Sequence, residues 1–144
     1  MTTKSSETYL SNVEWFRDVI DENVVLAFKS ALECLGYFQG WIGEDTIEVY
    51  ATKKGKYENI SYHLVESLDD VDSVIVHGIP CTSMSQTVND MLREIDSIDE
   101  QPLIEGLSAY YFENNESVDG LNISADNQAA FNRILEDAIN YYKY

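Results

Sequence analysis

The chain has 144 residues, 44% of them hydrophobic and 12% aromatic, and its formal net charge is −17. This length predicts a single domain over residues 1–144, because folding of such a chain buries roughly two-thirds of its extended-chain surface. The composition excludes a disordered acidic tail, and the charge excludes nonspecific binding to DNA or RNA, which requires a cationic surface.

Two features of the sequence bear on its location in the cell. No N-terminal apolar core of the signal-peptide type is present, and no apolar run is long enough to cross a bilayer. Cys34 and Cys81 lie far apart and beside apolar residues, a pattern typical of buried reduced thiols rather than of a disulfide scaffold. We therefore expect a cytoplasmic protein that makes no membrane contact.

Two helices are predicted before residue 37. Ser5 or Ser6 caps the first, whose apolar residues recur at helical spacing as far as Ile20. The second begins at about Val24 and ends at Gly36, which suits a left-handed C-terminal residue. Its inward-facing residues are predicted to be Phe28, Ala31, Leu32 and Leu35.

Three extended segments follow, at 37–42, 46–52 and 57–65. The last two alternate apolar and polar residues, as strands with one buried face do. The basic run at 53–56 lies between them and predicts a hairpin turn whose lysines protect a sheet edge.

The chain then changes from the alternating pattern of a strand to the spacing of a helix. The β-branched run at 74–76 predicts a strand, and Gly78 and Pro80 predict a turn after it. Ser83, with Gln86 three positions later, predicts a capping box at the start of a helix.

That helix is predicted to bury one face. The apolar stripe consists of Met84, Val88, Met91, Leu92 and Ile95. The polar residues Asn89, Asp90, Arg93 and Glu94 are predicted to lie off this face. The simplest interpretation is a strand-to-helix corner that closes a core.

Two further helices are predicted in the last third of the chain. The first carries Pro102 in its opening turn and ends near Glu113. The second is capped by Ser124 and buries Phe131 and Ile134. The order of elements predicts an α+β fold, a small antiparallel sheet of three to four strands packed with about five helices.

No catalytic or metal-binding motif emerges from the sequence. His63 and His77 lie in strand-like contexts that are typical of structural histidines. His77 and Cys81 are four residues apart, but the intervening glycine and proline preclude a helix, and a zinc site needs two more ligands. The acidic run at 69–72 lacks the glycine and regular ligand spacing of a calcium loop. We therefore predict no catalytic residue, no metal and no cofactor.

The surplus of carboxylates and tyrosines instead indicates a protein-binding surface. A cationic protein is the natural complement of this charge, and tyrosine among carboxylates is common where proteins bind each other. An ordinary acidic surface with inward-packed tyrosines is the competing interpretation. The candidate contact residues are Asp69, Asp70, Asp72, Asp96, Asp99, Glu100, Tyr110 and Tyr111.

Several segments resemble the C-terminal domain of AbiEi-type antitoxins. They are KSALECLGY at 29–37, IEVY at 47–50, GIPCTS at 78–83 and QTVNDML at 86–92. In that family a Ser-Ala-Leu helix precedes a strand, and a glycine-containing strand with Thr-Ser leads into a helix reading Arg-Thr-Leu-x-Asp-Leu-Leu. Gln86 stands where the family usually has arginine.

The resemblance covers about residues 24–123 and implies an antitoxin partner of a nucleotidyltransferase toxin in a bacterial or phage defence system. The family's N-terminal winged helix has no counterpart in the sequence, so DNA binding and autorepression are not expected. The negative charge agrees with that expectation.

The sequence thus predicts a non-enzymatic acidic interaction module, an antitoxin-like or phage-encoded inhibitor that binds a nucleotidyltransferase toxin or a nuclease. One alternative is a phage anti-CRISPR protein or nuclease inhibitor that acts as a nucleic-acid mimic. An alternative from another class is a small hydrolase that uses a carboxylate and either His63 or His77. A third is a homo-oligomer whose apolar helix faces pair.

Overall fold

The computed structural model describes residues 23–38 and 47–141, and these residues form an α+β fold. The strands are β1 (Val24–Leu26), β2 (Ile47–Ala51), β3 (Ile60–Leu64), β4 (Ser73–Val76) and β5 (Ile79–Thr82). The helices are α1 (Phe28–Leu35), α2 (Met84–Arg93), α3 (Gln101–Glu113) and α4 (Gln128–Asn140). The predicted first helix and most of the predicted strand at 37–42 lie outside the described residues.

The five strands form one mixed sheet in the order β3-β2-β1-β5-β4. β1 pairs antiparallel with β2 and parallel with β5, whereas β2 and β3 are parallel and β4 and β5 antiparallel. The α+β class is confirmed, but the prediction of an antiparallel sheet of three to four strands is wrong. Side-chain alternation identifies the buried face of a strand and carries no information on its direction.

The central strand β1 lies where the sequence analysis placed the start of a helix. Val24 and Leu26 belong to one apolar cluster and Val25 to another, and all three are buried. Because successive strand residues point to opposite faces, a strand buried throughout is covered on both sides of the sheet. The helix α1 begins only at Phe28, and it ends at Gly36 with a φ of 91°, as predicted.

The lysine run at 53–56 is not a hairpin turn, because β2 and β3 are parallel. Their register runs from Ile47 opposite Ile60 to Ala51 opposite Leu64, so the connection must return along the whole strand. The intervening residues 52–59 can span about 26 Å when extended, more than the roughly 17 Å length of β2. Lys53 and Lys54 are exposed just after the C-terminal end of β2.

β4 and β5 form a hairpin with a two-residue turn at His77 and Gly78. Both residues have positive φ, 53° and 79°, as a type I′ turn requires. Pro80 therefore lies inside β5, opposite Ile75, and its predicted place in the turn is wrong. The residue pattern did not predict the strand β5, which lies in the segment 78–83 where the resemblance implies a glycine-containing strand.

Ser83 begins α2 as predicted, since its Oγ accepts a hydrogen bond from the Gln86 N–H at 3.1 Å. The Gln86 side chain does not complete the capping box. Its Oε1 accepts from the Asp72 N–H at 3.1 Å, while its Nε2 donates to Asp90 at 2.9 Å. The apolar stripe of α2 is buried from Met84 to Leu92, as predicted, but Asp90 is fully buried with it.

The helices α3 and α4 pack together against the rest of the core. Both helices contribute residues to one apolar cluster, namely Leu103, Ile104, Leu107, Phe131, Ile134 and Ala138. Pro102 lies in the first turn of α3 as predicted. Ser124 does not cap α4, because the single 3-10 turn Ala125–Asn127 precedes that helix and the Ser124 side chain makes no capping hydrogen bond.

Cys34 on α1 and Cys81 on β5 are both buried and form no disulfide, which confirms the prediction made for them. The hydrogen bond with Cys34, together with burial, raises the pKa of the Cys81 thiol. A raised thiol pKa disfavours the reactive thiolate, so the pair is a packing contact between α1 and the sheet.

Candidate protein-interaction surface

Negative charge is concentrated in the second part of the chain. Residues 57–141 contain 17 of the 26 carboxylates but only two of the nine lysines and arginines. Of those 17 carboxylates, 14 are exposed. The two basic residues are already paired, Arg93 with Asp90 at 2.6 Å and Arg133 with Glu100 at 3.4 Å. This part of the surface therefore presents almost uncompensated negative charge.

The first predicted acidic cluster, Asp69, Asp70 and Asp72, lies beside the N-terminus of α2. Asp69 and Asp70 belong to a 3-10 turn, and Ser67 Oγ accepts a hydrogen bond from the Asp69 N–H at 3.1 Å. The Asp72 C=O accepts from the Ser83 N–H at 2.9 Å. The backbone of this cluster is thus fixed while its three side chains remain exposed.

The second predicted cluster, Asp96, Asp99 and Glu100, lies between α2 and α3. Asp99 Oδ1 accepts from the Gln101 N–H at 3.1 Å, and the Glu100 C=O accepts from the Ile104 N–H at 3.0 Å. Asp99 and Glu100 therefore help to start α3. The ten residues of α2 separate the two clusters by about 15 Å along the helix axis, so the structure places them at opposite ends of one helix.

The predicted tyrosines contribute less free surface than the sequence suggested. The Tyr110 ring packs edge-on against Tyr37 at 5.5 Å, and a Cβ added to Gly120 would lie 2.6 Å from its hydroxyl. Tyr111 is also half-buried, with its ring edge-on to Phe112 at 5.1 Å. Phe112 is the most exposed of the three aromatic side chains. Phe112 is not among the predicted contact residues, although its position off the stripe of Leu103 and Leu107 could have indicated its exposure.

Two exposed carboxylates, Glu113 and Glu116, follow this aromatic group in the chain. Burial of the Tyr37 phenol, and then the charge of Glu113, raise the pKa of Tyr37. Glu113 is the last residue of α3, and Glu116 follows it on the exposed loop after this helix. An apolar ring near exposed carboxylates can contact both the aliphatic stem and the charged end of a lysine or arginine side chain.

One carboxylate is not available to any partner. Asp90 is fully buried, and its Oδ1 accepts from Gln86 Nε2 at 2.9 Å and from Arg93 Nη2 at 2.6 Å. Burial lowers the pKa of the Arg93 guanidinium, but the hydrogen bond and charge of Asp90 outweigh burial, so the net direction is upward. This cluster ties α2 to Tyr50 of β2, and its role is structural.

Alkaline pH is expected to weaken the fold through Tyr50. Burial, and then the nearby Asp90 charge, raise its pKa well above the value of about 10 that an unfolded tyrosine has. The folded state then keeps a proton that the unfolded state releases. The stability contribution is complete below about pH 10 and is lost as the pH rises from there through the folded pKa.

The urea midpoint of Tyr50→Phe should therefore fall less steeply than that of the unmodified protein between about pH 9 and about pH 11. Tyr111→Phe is the matched control and should keep the original slope. Equal slopes for all three proteins would contradict the assignment.

The two histidines lie in different environments. His63 Nε2 is 3.3 Å from Glu48 Oε1, and its ring centroid is 4.4 Å from that of Phe28. His77 occupies the hairpin turn. A carboxylate and a histidine do not by themselves make a catalytic site, so the hydrolase alternative stays a prediction. Within residues 23–38 and 47–141, no group of three or more His, Cys, Asp or Glu residues is placed to hold a metal ion.

Comparison with models of known protein families finds no family that matches this chain, and comparison with curated proteins finds no match either. None of the helices in the described part of the chain combines the length and apolarity needed to span a membrane.

Proposed function

We propose that this chain is a non-enzymatic acidic interaction module, an antitoxin-like or phage-encoded inhibitor that binds and neutralises a basic protein. The partner class is a protein that handles nucleic acid, such as a nucleotidyltransferase toxin or a nuclease. The supporting observation is the excess of exposed carboxylates over basic residues in residues 57–141, where both arginines are paired internally. Surfaces that bind phosphates are cationic, and the same charges attract carboxylates.

The placement of the carboxylates supports this proposal beyond their number. The clusters at 69–72 and 96–100 are held by backbone hydrogen bonds at the two ends of α2. Anions on a fixed backbone lose little conformational freedom when they bind, so more of their attraction is retained as affinity. A partner whose basic groups are about 15 Å apart would contact both clusters at once.

Neutralising both clusters should weaken binding to a purified nucleotidyltransferase toxin or basic nuclease by about 100-fold. Each exposed charge pair contributes about 0.5 kcal/mol, so the five exposed carboxylates contribute about 2.5 kcal/mol. Glu100 is half-buried and already paired with Arg133, so it adds less. Calorimetric titration at two salt concentrations measures both the affinity and its salt dependence. The substitutions are D69N, D70N, D72N, D96N, D99N and E100Q, which preserve side-chain hydrogen-bond acceptors.

A matched control neutralises six exposed carboxylates elsewhere and changes the net charge equally. These substitutions are E58Q, E66Q, D119N, D126N, E136Q and D137N. The control should lose less than about 5-fold in affinity. Equal losses in the two variants would show that net charge rather than the two clusters determines binding. Binding that neither variant nor salt changes would refute the electrostatic proposal.

Competition with nucleic acid distinguishes a nucleic-acid mimic from an inhibitor that binds another surface of the partner. A mimic occupies the partner's own phosphate-binding groove, so duplex DNA or RNA should compete with this chain for the partner. An inhibitor that binds elsewhere on the partner should leave nucleic-acid binding intact.

A further inference from the structure

The strand β4 is an apolar edge of the sheet. It is last in the strand order, and among the described residues only β5 pairs with it. Ile75 is 75% exposed and Val74 is 39% exposed, and adjacent strand residues point to opposite faces. Natural proteins protect sheet edges with lysine, proline or bulges, but β4 reads Ser-Val-Ile-Val.

The outward hydrogen-bonding groups of β4 can be assigned from its pairing with β5. Ile75 lies opposite Pro80, which has no N–H, so this pair cannot exchange two hydrogen bonds. Val76 and Ile79 flank the two-residue turn and therefore form a hydrogen-bonded pair. Hydrogen-bonded and non-hydrogen-bonded pairs alternate along an antiparallel ladder, so Ile75 and Ser73 belong to non-hydrogen-bonded pairs.

The hydrogen bond from the Ser83 N–H to the Asp72 C=O agrees with this alternation. The N–H and C=O groups of Ser73 and Ile75 therefore point away from β5, towards the open edge.

The charge beside this edge selects the occupant. Asp69, Asp70 and Asp72 are exposed and lead directly into β4. Lys53 and Lys54 lie at the other end of the sheet from these aspartates. The C-terminal end of β2 lies beside the N-terminal ends of β1 and β5. The aspartates instead precede Ser73, which lies opposite Thr82 at the C-terminal end of β5. A second copy of this chain, with its own charge of −17, would be repelled.

We infer that the open edge of β4 binds an extended, cationic segment of a partner protein as an added strand. Ser73 and Ile75 would supply the main-chain hydrogen bonds, and the three aspartates would contact basic side chains of the segment. The inference rests on the proposed function for the charge of the partner, whereas the unpaired edge of β4 is observed among residues 23–38 and 47–141.

The test uses the full chain and a capped peptide of about eight residues that alternates lysine and valine. NMR hydrogen exchange should show the Ser73 and Ile75 amides protected at least about 5-fold more when the peptide is present. A glutamate–valine peptide of the same length is the charge control and should leave both amides unchanged.

Ile75→Pro removes the outward N–H and leaves the β4–β5 hydrogen bonds in place, so it should weaken peptide binding at least about 10-fold. Ile75→Thr keeps that N–H and should lose less than about 3-fold. Protected Val74 and Val76 amides will show that the Ile75→Pro hairpin is folded. Should it not fold, nuclear Overhauser contacts between the peptide and Ser73 and Ile75 in the unmodified protein decide the question.

Four outcomes would overturn the inference. Protection of both amides without peptide at every protein concentration would show that another segment of this chain covers the edge. Protection that rises with protein concentration would identify a second copy as the occupant. Peptide binding without protection of the Ser73 and Ile75 amides would show that the peptide is held by the acidic side chains alone and not as an added strand. If neither this peptide nor oligolysine binds, the proposed function fails as well.

Discussion

Leu32→Ala is expected to lower the free energy of unfolding by about 3 to 4 kcal/mol, the largest effect of any single substitution proposed for this protein. Leu32 is fully buried on α1, in the cluster that also contains Leu103 and Leu107 of α3. Its truncation leaves a cavity between α1 and α3. Urea unfolding followed by circular dichroism measures the loss. Leu64→Ala, at a position 61% exposed, should cost less than about 0.5 kcal/mol.

A substitution at Gly106 tests the contact between Leu32 of α1 and Gly106 of α3 directly. A Cβ added at Gly106 would lie 3.1 Å from both δ-methyl groups of Leu32. Gly106→Ala should therefore destabilise the unmodified protein by about 1 kcal/mol, despite the gain in helix propensity. In the Leu32→Ala background the same methyl group enters the vacated space and should stabilise by about 1 kcal/mol. The same sign in both backgrounds would contradict the packing described for α1 and α3.

Asp90→Ala is expected to cost about 2 to 3 kcal/mol. Breaking a buried ion pair by removing one partner costs about 3 to 5 kcal/mol, but the Arg93 side chain is 57% exposed and stays hydrated, so the loss is smaller. Gln86 Nε2 also loses its acceptor. Asp90→Asn should cost less, about 1 to 2 kcal/mol, because the amide oxygen still accepts from both groups.

Asp96→Ala is the matched control, since Asp96 is exposed just beyond the end of the same helix. It should change stability by less than about 0.5 kcal/mol. The two aspartates should behave oppositely in partner binding, where Asp96→Ala weakens the complex and Asp90→Asn does not. Loss of partner affinity in a folded Asp90→Asn protein would mean that the buried carboxylate also supports the binding surface.

Acidity has therefore two roles in this protein. The carboxylates at the ends of α2 are exposed on a fixed backbone, as a binding surface requires. Asp90, in the middle of the same helix, is buried, accepts hydrogen bonds from Gln86 and Arg93 of α2, and lies beside Tyr50 of β2. A composition with 26 acidic residues does not separate these roles, because burial depends on which helix face meets the sheet.

Several local features followed from the sequence alone. Ser83 as the start of α2 and Gly36 as the end of α1 agree with the structure, and β2 lies within the predicted strand segment. The predicted single buried face of β2 is wrong, because Val49, Tyr50 and Ala51 are all buried. Each feature that agrees depends on interactions within a few residues: a side-chain cap, a left-handed φ or the period of apolar residues. The excess of negative charge was equally readable, since it requires only counting.

Only the tertiary structure decided the rest. Val24–Leu26 is a strand because β2 and β5 pair with it on either side, and three apolar residues carry no period that distinguishes strand from helix. The parallel pairing of β2 and β3, the burial of Asp90 and the open edge at Ile75 likewise depend on which segments become neighbours. Local sequence determines what a segment can form, whereas contacts between distant segments determine which surfaces remain for a partner.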